Sequence, residues 1–371
     1  MGIYQKLGLK QVINASGKMT ALGASAVAPS VAQAMGDAAM DYVDMSELML
    51  AAGQHIAAAT GAEDGCPTSG AAAGIAISVA AVITGTHLSL IEKLPCSEGL
   101  KNKIVIQKGH AVHFGAPVQQ MIALGGGRAV EAGSANHVEE AHLREAIDEQ
   151  TAALLYVKSH HAIQKGMQSL ETMIRIGREQ GIPVIVDAAA EEDLRRFLAK
   201  GADLVIYSGG KAIGGPTSGF IAGRAPLIAA CRAQYKGIGR AMKVGKEAIV
   251  GLLTALQQYD PENQDASWQR TRVEWLAGEL GSIAGVTANI VQDEAGRAIY
   301  RVQVRMDEQV TGRTAQELVR LLEQGDPAIF TRNHAINTGV FAFDPRPFHA
   351  GQEKIIAARM KELLEKRKEG E

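Results

Sequence analysis

The sequence predicts an α/β protein, with a mainly parallel sheet covered by helices on both faces and a smaller α+β domain after it. Three observations predict this. From about residue 60, short apolar β-branched runs alternate with longer stretches of helical periodicity, as parallel strands require because each crossover needs a helix. Turn residues fall between them: Gly181-Ile182-Pro183 closes one helix before Val184-Ile185-Val186, and Lys200-Gly201 closes another before Asp203-Leu204-Val205. Beyond Gly245 the order of elements changes, which marks a second domain.

The elements follow in chain order. Residues 1–52 lack the α/β rhythm and are expected to pack on the small domain or on a neighbouring subunit. Residues 53–245 make the expected large domain, with strands over 103–107, 129–132, 153–158, 183–188, 203–208 and 219–222 and helices over 138–148, 169–180 and 191–199. Residues 246–371 make the expected small domain. It starts with a helix over 246–259 stopped by Asp260-Pro261, then a helix over 267–280 and alternating strands over 298–305. A helix over 314–323 and a strand pair within 329–344 complete it.

Bulk properties exclude several functions. With 46% hydrophobic and 21% charged residues the chain is globular, and at 371 residues it is long enough for two cores. A net charge of -2 offers no basic surplus for a polyanion, so nucleic acid is not an expected partner. Cys66, Cys96 and Cys231 show no CxxC pair and no metal-ligand spacing, so no metal is expected and the compartment reads as reducing. The start, MGIYQKLGLKQVINASG, lacks the basic opening and long apolar stretch of a leader, and the apolar run over 71–83 is too short for a bilayer. A cytoplasmic protein is expected. Glycine is abundant at 41 residues and clusters near 65–74, 125–127, 209–219 and 237–245, where backbone can approach a ligand closely.

Four features fall at strand ends or helix starts, where open α/β sheets bind ligands. Ser69-Gly70-Ala71 opens a long Ala/Ile helix, whose free N–H groups and positive end suit a phosphate; an ordinary serine cap reads the same way. Asp187 ends the strand Val184-Ile185-Val186, where a buried carboxylate could keep a pyridine nitrogen protonated or merely cap the next helix. Ser208-Gly209-Gly210-Lys211 carries a strand into a turn that presents an amine. A lone lysine in such a turn is usually solvated, but a Schiff-base lysine needs this placement, and Ser208 could donate to a phosphate. His110 follows one strand and Ser159-His160-His161 another. Adjacent histidines point apart and rarely share an ion, so His110 with His161 or His160 is the candidate to stack on a cofactor ring or bond its phenolic oxygen.

Taken together, the residues resemble a known family. Ile13-Asn14-Ala15-Ser16-Gly17, Thr60-Gly61-Ala62-Glu63, Ser69-Gly70-Ala71-Ala72-Ala73, Asp187 and Ser208-Gly209-Gly210-Lys211-Ala212-Ile213-Gly214-Gly215-Pro216 are similar to the bacterial L-seryl-tRNA selenium transferase (selenocysteine synthase) superfamily. Arg240-Ala241-Met242-Lys243-Val244-Gly245-Lys246 and Phe341-Ala342-Phe343-Asp344-Pro345-Arg346 extend the likeness over nearly the whole chain. The resemblance implies a fold-type-I, aspartate aminotransferase-like architecture around a seven-stranded sheet, with pyridoxal 5′-phosphate held by Lys211. It also implies a homodimer or higher homo-oligomer with shared active sites. Because the Ile-Asn-Ala segment comes so early in the sequence, the N-terminal domain that the transferase uses for its tRNA is expected to be missing. Asp41-Tyr42-Val43-Asp44-Met45-Ser46-Glu47 and Lys158-Ser159-His160-His161 are similar to a smaller branch of the superfamily that holds several enzymes and includes D-glucosaminate-6-phosphate ammonia lyase.

That branch implies β-elimination from a phosphorylated amino sugar acid. Asp187 and Lys211 would be catalytic, with Ser69, Gly70, Ala71, His110, His161 and Ser208 at the cofactor. Arg332 is the candidate for the substrate carboxylate because its planar fork matches one, and Lys243 and Lys246 are candidates for the distal phosphate; surface solvation reads equally well for the lysines. Glu191 reads as an exposed helix residue sooner than as a second acid. Two alternatives stay open: another reaction on the same cofactor (selenium transfer, a different lyase, a racemase or an aldolase), or a catalytically silent assembly protein.

Overall fold

The computed structural model describes residues 2–159, 161–260, 267–293 and 298–365. They fall into two compact units, one of Ala24–Pro261 and one joining Met1–Gly23 to Glu262–Glu371. Strand β1 (Val12–Ala15) belongs to the smaller unit. The larger unit contributes β2 (Asp64–Thr68), β3 (Lys103–Gln107), β4 (Arg128–Ala132), β5 (Thr151–Val157), β6 (Val184–Asp187), β7 (Leu204–Ser208) and β8 (Gly219–Gly223).

These seven strands form one sheet in the order β2-β8-β7-β6-β5-β3-β4. β8 is antiparallel to β2 and β7, and the other pairs are parallel. The near-continuous apolar runs have a direct cause, because both faces are covered. Every residue of β5 is buried; Leu154 and Tyr156 face one core layer, while Ala153, Leu155 and Val157 face the other. The helix Leu170–Gln180 begins where Ser169 accepts from the Thr172 N–H and ends at the left-handed Gly181, as the turn chemistry predicts.

Chain direction fixes where a ligand can sit. From β3 the order steps outward to β4, and from β5 it steps the other way to β6 and β7, so it reverses between β3 and β5. Such a reversal opens a crevice at the carboxyl ends of the strands. The end of β2 joins the same edge, because Thr68 pairs with Gly219 and Gly219 pairs with Ser208.

Some elements differ from expectation. No strand is predicted over Asp64–Thr68, since Gly65 and Pro67 break the apolar signal; pairing with β8 supplies the strand. The helix expected over 191–199 shrinks to Arg196–Ala199. Ahead of it the Asp193 carboxylate accepts from the Arg195 and Arg196 N–H groups, and the Tyr259 and Tyr207 hydroxyls donate to the Glu192 and Asp193 carbonyls, which diverts the chain into turns. The units divide near residues 23 and 261, whereas the composition places shifts at 52 and 245. Residues Lys246–Gln257 form a helix that lies along Pro29–Met40 and buries Leu252, Ala255 and Leu256 in the large core.

In the smaller unit β1 pairs in parallel with β11 (Ala328–Thr331). Strands β9 (Val286–Gln292), β10 (Tyr300–Met306) and β12 (Val340–Phe343) form a second, antiparallel sheet in the order β12-β10-β9. The helices Ser267–Gly281, Ala315–Gln324 and Gln352–Glu365 complete an α+β unit whose core includes Ile13, Val302, Leu318 and Phe343. The expected strand pair within 329–344 is thus divided between two sheets, tied by a bridge between Arg332 and Ala342. Among the described residues no helix is long and apolar enough to cross a membrane.

Candidate active site

The end of β2 and the start of the helix Ala71–Thr84 make the first part of the site. Gly70 precedes the helix with no side-chain cap, so the N–H groups of its first turn stay available for an anion. The Thr68 hydroxyl donates to the Gly70 carbonyl at 2.9 Å and steadies the turn. Ser69, Gly70 and Ala71 are each half-buried. Gly219 permits this approach. A Cβ there would lie 2.7 Å from the Tyr207 carbonyl oxygen, 2.8 Å from the Gly70 carbonyl carbon and 3.0 Å from the Ala71 nitrogen. Sequence reasoning missed Gly219; the signal was a glycine at the start of a strand, directly before the bulky Phe220 and Ile221.

Asp187 closes β6 between Val157 and Ile206 and is only 6% exposed. Its Oδ1 accepts from the Ala189 N–H at 3.2 Å. Burial raises its pKa to about 6, against the opposing pull of the Lys211 charge and the Ala189 N–H. A buried carboxyl with so little compensation fits a cationic ring nitrogen, which would repay its desolvation. Lys211 itself is half-buried, in a turn held by Gly209 N–H to Ser218 carbonyl at 2.8 Å, Gly214 N–H to Lys211 carbonyl at 3.1 Å, and the Ser25 hydroxyl to the Gly210 carbonyl at 2.7 Å. Ser208, half-buried, ends β7 beside Gly219. The strand edge therefore gathers the anion cradle, the acid and the lysine turn, as pyridoxal phosphate requires of a phosphate site, a pyridinium partner and an amine.

The histidines behave differently. His110 has no exposed surface; its ring meets Tyr156 edge-on at 4.7 Å, and Nδ1 accepts from the Val157 N–H at 3.3 Å. Burial lowers its pKa to about 4, only partly opposed by the Ile163 backbone, so the imidazole is neutral. Among the described residues its Nε2 is buried without a hydrogen-bond partner. His110 is thus a packed side chain that presents no face for stacking, because the turn after β3 folds it inward. His161 is exposed, with its N–H on the Ser159 hydroxyl at 3.2 Å, and His160 lies outside the described residues.

Lys246 needs correction. Its ammonium donates to the carbonyls of Ala38, Ala39 and Asp41, so it satisfies the end of the helix Pro29–Met40 and is not placed to hold a phosphate. Lys243 is exposed just after the 3₁₀ turn Ile238–Met242, which also carries the exposed Arg240. Glu191 pairs with Arg196 at 2.7 Å in a turn, not on an exposed helix. Arg332 stands in the smaller unit, half-buried. Burial and then Arg301 pull its pKa below the ordinary value, with Arg346 adding to the effect and Asp344 and Asp293 opposing it. A cavity of about 920 Å³ opens at the opposite sheet edge, near Thr151 and Pro183, and holds none of these residues.

Comparison with known proteins agrees with this geometry. A family model described as L-seryl-tRNA selenium transferase matches residues 12–312. A D-glucosaminate-6-phosphate ammonia lyase of Salmonella typhimurium is 49% identical over 98% of both chains. A 5'-C-glycyluridine monooxygenase-decarboxylase of a Streptomyces species is 48% identical over 97% of this chain and 92% of its own. A solved structure of D-glucosaminate-6-phosphate ammonia-lyase superposes with a TM-score of 0.93 at 49% identity, covering 98% of each chain. The mainly parallel seven-stranded sheet with a smaller α+β unit is accordingly the fold-type-I architecture expected from the resemblance. The chain is an enzyme and belongs to the L-seryl-tRNA selenium transferase family.

Proposed function

We propose that the chain is a pyridoxal 5′-phosphate-dependent ammonia lyase acting on a phosphorylated amino sugar acid. The substrate best supported is D-glucosaminate-6-phosphate, converted to 2-keto-3-deoxy-6-phosphogluconate and ammonia. One observation carries the reading: the cradle at Ser69–Ala71, the buried Asp187 and the Ser208–Lys211 turn share one sheet edge. The likeness to an ammonia lyase over 98% of the chain supports the reaction class.

When bound, the cofactor supplies an electron sink for charge that develops at the substrate α-carbon. The protein's residues do the rest. Asp187 would hold the proton on the ring nitrogen, and the helix start at Ser69–Ala71 with Ser208 would bind the cofactor phosphate. Lys211 would hold the cofactor through its ε-amine, and as a neutral amine beside the substrate it would take the α-proton. Lys211 would pass that proton to the β-hydroxyl, which leaves as water, and addition of one water to the resulting enamine gives keto acid and ammonia. Arg332 takes the carboxylate, and Lys243 with Arg240 takes the distal phosphate. Retention of cradle, acid and lysine together speaks against a silent assembly role.

The exposed Met40, Tyr42, Val43, Met45 and Leu50 support a homo-oligomer, since so many apolar side chains on one short segment favour a second copy. A second reading has one finding behind it: a relative nearly as similar is named for a monooxygenase-decarboxylase. Adding D-glucosaminate-6-phosphate and measuring ammonia with keto acid separates the two. Equimolar release supports the lyase; no release of either product sinks it.

A further inference from the structure

We propose that Arg346 is the second guanidinium of a carboxylate site in the smaller unit, beside Arg332, and that Asp344 is the positioning residue that aims it. The proposal rests on the reading that Arg332 takes the substrate carboxylate.

Three segments distant in sequence meet here. Pairing of β1 with β11 sets Ala15 opposite Thr331, so Arg332 follows at the strand end. Arg332 and Ala342 exchange both backbone hydrogen bonds, and the Asp344 N–H donates to the Ala15 carbonyl at 2.8 Å. Asn14 shapes the turn between them: its Nδ2 donates to the Gly17 carbonyl, and its Oδ1 accepts from the Ser16 N–H and hydroxyl. Gly17 adopts φ +95°, and a Cβ there would lie 3.3 Å from Asp344 Oδ2 and 3.5 Å from Arg346 Nη2. The turn is laid directly against that ion pair.

The hydrogen bonds decide which groups remain available. Asp344, with no exposed surface, accepts from Arg346 Nε at 2.9 Å on Oδ1, and from Arg346 Nη2 at 2.7 Å and Arg301 Nε at 2.9 Å on Oδ2. Arg301 also donates to Asp293 at 3.0 Å. Arg346 therefore spends one edge on Asp344 and keeps Nη1 uncommitted, with a quarter of its side chain exposed. Among the described residues the Arg332 guanidinium makes no hydrogen bond or ion pair.

Charge matching points to the ligand class. Among the groups that act on Arg332, two further guanidiniums, Arg301 and Arg346, stand against two carboxylates, Asp344 and Asp293, so positive charge is in excess at a half-buried place where like charges repel. A single carboxylate would cancel it and could bond both forks; a dianionic phosphate would overshoot. Arginine suits this role better than lysine because each fork fixes direction as well as charge.

The test uses the intact protein and two probes, 6-phosphogluconate, which has a carboxylate, and sorbitol 6-phosphate, which lacks one. Calorimetry on Arg332→Lys and Arg346→Lys is expected to show 6-phosphogluconate binding weakened roughly tenfold or more, with sorbitol 6-phosphate unchanged. Loss in Arg332→Lys but not in Arg346→Lys overturns the present proposal and leaves the Arg332 reading intact. Loss in neither removes that reading too. Asp344→Asn supplies a sign test. If Asp344 were only a background charge, neutralising it would tighten anion binding. A positioning role requires weaker binding of 6-phosphogluconate, and a tighter complex refutes it.

Discussion

Asp187 and Lys211 are electrostatically coupled: the lysine's charge draws the buried carboxyl's pKa down while burial holds it up at about 6. The buried carboxyl is only partly compensated by that charge, which is how an acid poised for a cationic ring nitrogen differs from a member of a structural ion pair.

Lys211→Ala should remove the visible absorbance of the bound cofactor and lower turnover by about three orders of magnitude or more. Borohydride should fix the label to the natural chain and not to this variant. Retained absorbance together with retained activity would mean that another group holds the cofactor.

The raised pKa of Asp187 has a definite sign in stability. In the cofactor-free protein the native state binds more protons than the unfolded chain between the usual aspartate pKa near 4 and the folded value of about 6. Stability contributed by this group therefore falls as pH rises through that window and levels off above it. Asp187→Asn should stabilise the cofactor-free protein by about 3 kcal/mol at pH 7, while reducing catalysis severely. Denaturant melts at pH 4 and pH 7 check it; equal stability gains at both would contradict the burial argument.

Gly219→Ala should damage the cradle. The added carbon meets three backbone atoms, none of which can rotate away, so a loss of about 1–3 kcal/mol is expected. Weaker binding of the cofactor phosphate should accompany it. A variant with unchanged Tm and unchanged cofactor affinity would show that the helix start is not held by this contact.

Lys243 and Lys246 should separate cleanly. Lys246→Met removes donors to three carbonyls at the end of the helix Pro29–Met40 and should cost about 1 kcal/mol of stability, with little change in KM. Lys243→Ala should raise KM for the phosphorylated substrate about tenfold without loss of stability. Thermal melts and steady-state kinetics on both variants would expose the reverse pattern.

Tyr42 stands fully exposed amid other apolar side chains. Tyr42→Asp should shift the oligomer toward smaller species in sedimentation, since a charge on a buried interface is costly. An unchanged sedimentation coefficient would place the subunit contact elsewhere.

Much of the large unit was legible because its signals are local. Strands β3, β6 and β7 are short β-branched runs closed by turn residues, and Ser169 and Gly181 bracket a helix as their chemistry dictates. Asp187 and Lys211 stood out for the same reason, each at the end of such a run. The strand β2 was hidden because Gly65 and Pro67 carry no strand signal and its partner lies about 155 residues away in a pairing of Asp64–Thr68 with Gly219–Gly223. His110 resembled a ligand-facing residue until packing turned it inward on Tyr156.

By itself the sequence determined the fold class, the chain positions of the acid and the lysine, and the helix start that can bind phosphate. Periodicity and turn chemistry act over a few residues and need no knowledge of the rest. Only the tertiary structure decided which charges remain available. Lys246 is consumed by carbonyls some 205 residues earlier in the chain, while Asp293 and Asp344 together pair with Arg301 and Arg346 and leave Arg332 unmatched among the described residues. Charge balance is set by neighbours in space, and strand pairing chooses those neighbours.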